Sequence, residues 1–335
     1  MEIVTDRLIL RPWQESDAES LYKYAQDPRI GPIAGWPPHT SVEDSLNIIR
    51  TVFAAPETYA VVLKETGEPV GSIGIMFGDG LHSAEMQADE AEIGYWLGVP
   101  YWGQGLIPEA VRCLQKRCFE DLGMTAVWCG YYDGNVKSLR VMEKCGFRFH
   151  HTEEGKTSPL GDVRTEHFMR ITKGEWKLAQ HLSIRPLTAQ DIPEMQALFR
   201  TTVLTVNSKD YTKEEVDDWA SCGNSIEHWK ELLAKNDYIG ALDGQGRIVG
   251  FSSMNAEGYL HSMFVHKDWQ GKGVATLLLS EVENMARRCG VRKISVEVSI
   301  TARPFFEKRG YKVMKEQKAK ANQLWLTNYV MEKTL

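Results

Sequence analysis

The chain has 335 residues, is 43% hydrophobic and 25% charged, and carries a formal net charge of −6. That length suggests about two domains, and the composition excludes a disordered or fibrous chain. The acidic balance argues against nucleic acid as the main partner.

No apolar run approaches the ~20 residues of a membrane span. The opening "MEIVTDRLIL" lacks the basic and apolar regions of a signal peptide, so a cytoplasmic protein with no membrane partner is expected. The first predicted elements lie in "LILRPWQESDAESL" (8–21): a strand, Arg11-Pro12, a polar turn, and Asp17 ahead of a helix. Pro closes the strand because it cannot donate to a ladder. After a turn, "EPVGSIGIMF" (68–77) alternates as a strand does. "EIGYWLGVPYWGQGLIPEAVRCL" (92–114) then runs from a central strand through Gly103 and Gly105 into a helix, with Pro108 in its opening turn. In "GNVKSLRVMEKCGF" (134–147) Asn135 caps a further helix, Ser138 is its third residue and Gly146 ends it.

The same landmarks return in the same order. "LSIRPLTAQDIPEM" (182–195) repeats the first segment, Arg185, Pro186 and Asp191 matching Arg11, Pro12 and Asp17 at an offset of 174. "GRIVGFSSM" (246–254) answers the second, and "SMFVHKDWQGKGVATLLLSEVE" (262–283) carries Gly271 and Gly273 at an offset of 168. "FFEKRGY" (305–311) matches "VMEKCGF" (141–147) at an offset of 164. The repeat has the size of a whole domain, so the boundary belongs in "GEWKLAQHL" (174–182), giving domains 1–176 and 182–335. Each half reads as an α/β unit, a mixed sheet with helices on both faces. The part up to Trp176 has 17 Lys+Arg against 26 Asp+Glu, net −9, and the remainder is net +3. An acidic surface favours cationic substrates, and a merely solvated acidic surface is the other reading. The six cysteines form no C-x-x-C pair and no His cluster has zinc spacing, so buried reduced thiols and no metal are expected.

The doubled glycine corner is the chemical signal. A helix N-terminus presents amides without partners and a partial positive charge, which suits phosphate oxygens. Glycine lets the ligand approach the backbone. The donors are the amides of Gly103, Gln104, Gly105, Leu106 and Ile107 in the first half, and of Gly271, Lys272, Gly273, Val274 and Ala275 in the second. A P-loop is absent, and Pro108 and Thr276 stand where a dinucleotide fingerprint wants Gly or Ala.

Strand, x-x-G-x-G, helix, then "EK-x-GF" some 40 residues on, resembles the GCN5-related N-acetyltransferase (GNAT) superfamily. The resemblance implies two tandem domains, each with a mostly antiparallel, splayed central sheet. It implies a corner that holds the pyrophosphate of acetyl-coenzyme A, and a pantetheine arm along the free strand edge that ends at Leu97 and Val265. The family usually has Gln or Arg three residues before the first glycine, where this chain has Pro100 and Asp268. "TDRLILRPW", "AEIGYWL" and "GNVKSLRVMEKCGF" are similar to the ribosomal-protein N-terminal acetyltransferase (RimJ/RimL) branch. That likeness gives Asn135 a contact with the cofactor arm and Ser138 the role of hydrogen-bonding or protonating the leaving thiolate. The second half, through "DYTKEEVDDWA" and "ITARPFFEKRGYKV", resembles the YafP-like acetyltransferases. A thiolate-protonating Tyr common in the superfamily is replaced by Met142 and Phe306, and Ser299 and Ala302 replace Asn135 and Ser138 in the second half.

Aminolysis also needs a base for the amine. Glu92 on the first central strand and His261 on the second are the candidates, an ordinary surface carboxylate and a packed histidine being the alternatives. Tyr95 and Trp96 read as pocket walls, and Tyr211 and Trp219 as an acceptor pocket or as core. The expected activity is acetyl-CoA-dependent N-acetylation of a primary amine: a peptide α-amine, or a small amine such as an aminoglycoside or polyamine. The first half is the better catalytic candidate. Alternatively, one half, the second above all, is a non-catalytic acyl-CoA-binding or interaction module. A monomer with pseudo-dimeric halves and a homodimer are both compatible with the sequence.

Overall fold

The structure is a computed structural model and describes residues 1–335, apart from the side chain of Asp79. The chain divides into two compact units, Met1–Trp176 and Lys177–Leu335.

The first unit is built on strands β1 (Ile3–Val4), β2 (Leu8–Arg11), β3 (Thr58–Leu63), β4 (Pro69–Met76), β5 (Glu90–Leu97), β6 (Ala126–Tyr132), β7 (Arg148–Thr157) and β8 (Val163–Thr172). They form an eight-stranded sheet of order β1-β2-β3-β4-β5-β6-β8-β7. Every neighbouring pair is antiparallel except β5 and β6. Between β2 and β3 lie α1 (Ala18–Ala25), α2 (Gly31–Ala34) and α3 (Val42–Thr51); α4 (Leu106–Lys116) joins β5 to β6, and α5 (Val136–Lys144) joins β6 to β7. Leu106, Ile107, Ala110, Val111 and Leu114 make one apolar stripe on α4, all buried against Ile73, Ala91, Ile93 and Val127 of the sheet. Full burial of each large side chain there is worth about 1.5–3 kcal/mol, and this stripe fixes the angle at which α4 leaves the corner. The opposite face is covered by α1 and α3 through Leu21 and Ile49, together with Trp13 from the turn after β2.

After α6 (Lys173–Ala179), the second unit repeats the plan with β9 (Ser183–Pro186), α7 (Ile192–Thr205), α8 (Lys213–Ser221), α9 (Ile226–Lys235), β10 (Asp237–Leu242), β11 (Ile248–Met254) and β12 (Tyr259–Val265). It continues with α10 (Val274–Arg288), β13 (Lys293–Ser299), α11 (Arg303–Glu307), β14 (Lys312–Lys320) and β15 (Trp325–Thr334). The seven-stranded sheet has the order β14-β15-β13-β12-β11-β10-β9, and its one parallel pair is β12 with β13. The expected architecture, two mixed, mostly antiparallel sheets flanked by helices, is present in both halves. The buried thiols expected of the cysteines are found at Cys118, Cys129 and Cys145, whereas Cys113 and Cys222 are half-buried and Cys289 is exposed.

The Arg-Pro…Asp repeat is a clasp. Arg11 donates to both carboxylate oxygens of Asp17 at 2.7 and 2.9 Å, and Arg185 does the same to Asp191 at 2.9 and 2.7 Å. The same carboxylates accept the backbone N–H of Gln14 and Thr188. A bidentate guanidinium fixes orientation as well as distance, so each clasp sets how the first long helix leaves the edge of its sheet.

The Arg185 bond, with help from Thr188, holds the Asp191 carboxyl at about 2. A depressed carboxylate contributes stability above its unfolded value near 3.9, and that contribution is lost as pH falls toward 2. Asp191→Ala is expected to cost about 1–3 kcal/mol, read as faster hydrogen exchange of the α7 amides at pH 6, with the difference from the parent shrinking between pH 4 and 2.

Candidate active site

In each sheet the parallel pair is brief. β5 pairs with β6 only through Glu90, Ala91 and Glu92, and β12 with β13 only through Tyr259 and Leu260. Beyond those residues the strands part. The N–H of Gly98 donates to Val70, so even-numbered residues of β5 carry the ladder to β4. The odd-numbered Ile93, Tyr95 and Leu97 turn their polar backbone toward the gap. Two of their carbonyls are engaged by side chains: Cys129 Sγ donates to Ile93 at 3.1 Å and Trp102 Nε1 to Leu97 at 2.8 Å. Gln270 Nε2 occupies the equivalent carbonyl of Val265 at 2.6 Å. At Leu97 and Val265, then, the strand offers an incoming arm its N–H rather than its carbonyl.

The parted strand runs straight into the corner. Gly103, Gly105, Gly271 and Gly273 all adopt left-handed backbone, with φ of 79°, 77°, 70° and 86°. Gly105 and Gly273 are the N-caps of α4 and α10, and their carbonyls accept from Glu109 and Leu277. A Cβ on Gly103 or Gly271 would meet nothing within 4 Å. The glycines are therefore not excused by crowding within the protein; they serve the backbone turn and leave room outside it. Leu106, Ile107, Val274 and Ala275 supply first-turn amides that have no acceptor within their helices. Such a cradle fits a phosphate or diphosphate.

Basic side chains stand beside the corner; of these the sequence singled out Lys272, for its amide, and neither Arg7 nor Lys137. Arg7 Nη1 donates to the Gln104 carbonyl at 2.9 Å, and its Nε donates to Glu109 at 2.8 Å. This clamp points the Gln104 carbonyl at Arg7. Lys137 Nζ sits 3.5 Å from the ring centre of Trp102, and Lys272 Nζ 5.0 Å from that of Trp269. Asp268 is held by Lys267 at 2.8 Å, so its charge is neutralised locally.

Asn135 caps α5, its side chain accepting the Ser138 N–H at 3.2 Å. Ser138 Oγ lies 2.9 Å from the Tyr95 hydroxyl. Burial pushes the Tyr95 phenol well above its usual range, so it stays protonated. Tyr95, read from the sequence as a wall, is thus the hydrogen-bond partner of the candidate acid. Alternation along β5 places Glu92 on the other face, the one on which Trp96 packs edge-on to Trp36. Glu92 is buried, and its Oε2 accepts both the backbone N–H and the ring Nδ1 of His82 at 3.1 Å. It is not the surface carboxylate of the alternative reading. Candidate acid and candidate base flank the strand where the gap opens.

The second unit holds a cavity of about 480 Å³ between the parted strands, lined by His261, Phe264, Val265, Gln270, Ala275 and Phe306 among others. Tyr211, Trp219, Ser299 and Ala302 also line it. His261 is the extra residue of a bulge, since Ser262 and Leu260 face consecutive Ser253 and Met254, and a bulge re-aims a side chain. Its Nδ1 lies 2.8 Å from Ser262 Oγ, which lies 3.3 Å from the Tyr238 hydroxyl. Its ring is open to the cleft but surrounded by protein, and this desolvation lowers its pKa. Met263 stands where the first unit has Tyr95, so the pair Tyr95–Ser138 has no counterpart.

The Acetyltransferase (GNAT) domain family matches residues 7–148 and again residues 207–333. The chain belongs to the GNAT acetyltransferase family, as two domains in tandem, and is thereby an acyltransferase. Among its relatives is the uncharacterized N-acetyltransferase YafP of Escherichia coli (strain K12), 31% identical over 152 residues, which are 45% of this chain and 95% of that protein. YdaF of Bacillus subtilis (strain 168), by name a candidate ribosomal N-acetyltransferase, is 35% identical over 101 residues, 29% of this chain and 53% of that protein. A solved GCN5-related N-acetyltransferase from Rhodopseudomonas palustris aligns at 29% identity with a TM-score of 0.45, covering 46% of this chain and 96% of that one. No helix of the described residues is long and apolar enough to cross a membrane.

The hydrogen bond to Glu92 raises the His82 pKa above its ordinary value near 6.5, whereas His261 is lowered below it. Imidazole NMR titration of the whole chain should show this order. Glu92→Gln should bring His82 back toward 6.5 and leave His261 unmoved.

Proposed function

We propose that the protein is an acetyl-CoA-dependent N-acetyltransferase of primary amines and that residues 1–176 carry the catalysis, residues 182–335 forming a second acyl-CoA domain. The observation that carries this reading is the Tyr95–Ser138 pair at 2.9 Å, set beside a parted strand that leads to a glycine cradle. The amides of Gly103, Gln104, Gly105, Leu106 and Ile107 hold the diphosphate, with Lys137 adding positive charge and Arg7, paired with Glu109, bracing the Gln104 carbonyl. The cofactor arm lies along β5 toward Leu97, near Asn135. Glu92 takes the proton of the incoming ammonium, directly or through water, while His82 holds the carboxylate in place. The neutral amine attacks the thioester carbonyl, the C–S bond breaks, the thiolate takes the Ser138 proton, and the second proton shed by the nitrogen as the amide forms passes through water to restore the serine hydroxyl. Tyr95, which keeps its own proton, orients the Ser138 hydroxyl through their hydrogen bond. An amine on the Glu92 face and a thioester on the Ser138 face meet at the point where β5 and β6 separate.

The acceptor is a peptide α-amine or a small amine. The acidic balance of the first half favours a cationic acceptor, and the relative YdaF is by name a candidate ribosomal N-acetyltransferase, which fits a protein amine. A second reading has its own observation: the second unit has the large cavity and a bulge-aimed, neutral His261, but Phe306 and Ala302 offer no hydroxyl. That unit then binds acyl-CoA at Gly271, Lys272, Gly273, Val274 and Ala275 and positions or regulates, or acetylates with water as the thiolate's acid.

Thiol release from acetyl-CoA, followed on the full chain with peptides, polyamines and aminoglycosides, separates the readings. Ser138→Ala should lower kcat about 10²-fold with little change in KM for acetyl-CoA, and Tyr95→Phe less so. Gly105→Val should raise that KM sharply. Full activity in Ser138→Ala together with its loss in His261→Asn transfers the catalysis to the second domain.

A further inference from the structure

The sequence shows no zinc spacing, yet the fold of the first unit collects metal-ligating groups from two separate segments. His150 and His151 are neighbours on β7, and neighbours in a regular strand point to opposite faces. Here the register slips. Phe149 pairs with Met169 and His151 with the next residue, Phe168, so His150 is the extra residue of a bulge. Bulges re-aim side chains, and this one turns both imidazoles together, Nδ1 to Nδ1 at 2.9 Å. Glu85, from the segment between β4 and β5, brings a carboxylate oxygen to 3.6 Å from His150 Nδ1 and 4.0 Å from His151 Nδ1. Trp128 braces both rings edge-on, with centroids 4.6 and 6.0 Å away, and Phe168 stacks on His151 at 4.9 Å.

The far side of His151 is also fixed. Its Nε2 lies 3.1 Å from Glu153 Oε1, which Ser83 also donates to. A carboxylate only accepts, so Nε2 carries the proton and Nδ1 presents its lone pair toward His150 and Glu85. An outer carboxylate that sets the tautomer and aim of an imidazole is the usual companion of a metal-ligating histidine. The spacing indicates the kind of ion. Two nitrogens each about 2.1 Å from a metal and 2.9 Å apart subtend about 90° there, which suits octahedral or square-planar rather than tetrahedral coordination.

We propose that Glu85, His150 and His151 bind one divalent first-row transition ion of imidazole preference, Ni²⁺ or Cu²⁺ before Zn²⁺, with water completing its coordination. Glu153 is the positioning residue. None of the three ligands is a group assigned to acetyl transfer. Because Glu85 shares its segment with His82, which holds Glu92, the ion also ties that segment to β7.

The test uses the full chain without a histidine tag. Calorimetry with NiCl₂ and with CuCl₂ should show one ion per chain with Kd below ~10 µM. His150→Asn and His151→Asn should each weaken binding at least about 100-fold, and Glu153→Gln about 10- to 100-fold, with the melting temperature of the metal-free protein unchanged. Glu85→Gln, at an exposed position, guards against misfolding and should weaken binding about tenfold. The Cu²⁺ spin-resonance spectrum should report two imidazole nitrogens in the parent and one in either histidine variant. Failure to bind one ion at that affinity, or unchanged binding in His150→Asn and His151→Asn, overturns the proposal.

Discussion

The site rests on a short parallel contact. β5 meets β6 over three residues and β12 meets β13 over two, and beyond these the strands separate. Sheet strands normally gain by pairing along their length, since an unpaired edge leaves polar backbone exposed. Here each parted strand keeps its ladder on the side away from the gap, β5 to β4 and β6 to β8, while the apolar stripe of α4 packs across both strands. The gap therefore leaves one edge of each strand open without giving up the sheet on either side.

Much of this was legible in the sequence. The glycine corners could be read because only glycine takes two left-handed residues around a single intervening one, and all four positions do so. The repeated Arg-Pro…Asp could be read as a repeat, though not as a clasp, because the pattern fixes spacing while the bidentate contact depends on the turn between. Asn135 and Ser138 were readable as cap and third residue, since capping is local.

What the sequence hid depends on distance in the chain or on slips of register. Tyr95 and Ser138 are 43 residues apart, and nothing in either segment announces their hydrogen bond. His82 reaches Glu92 from a loop, and Arg7 reaches Gln104 across 97 residues. Strand alternation alone could not say which way His150 or His261 points, because each sits in a bulge that breaks the period of two. The features missed by pattern reading are those in which tertiary structure overrides the local rule.

The engaged carbonyls at the two ends of the parted strand act as a ruler. On β5 the Cys129 thiol stops one end at Ile93 and the Trp102 indole stops the other at Leu97. Four residue steps lie between them, roughly 13 Å at about 3.3 Å per step. A polypeptide trying to lengthen the sheet would find the ladder closed at both limits. Between those limits the backbone of Tyr95 is left open, so the free stretch of this edge is short and closed at both ends.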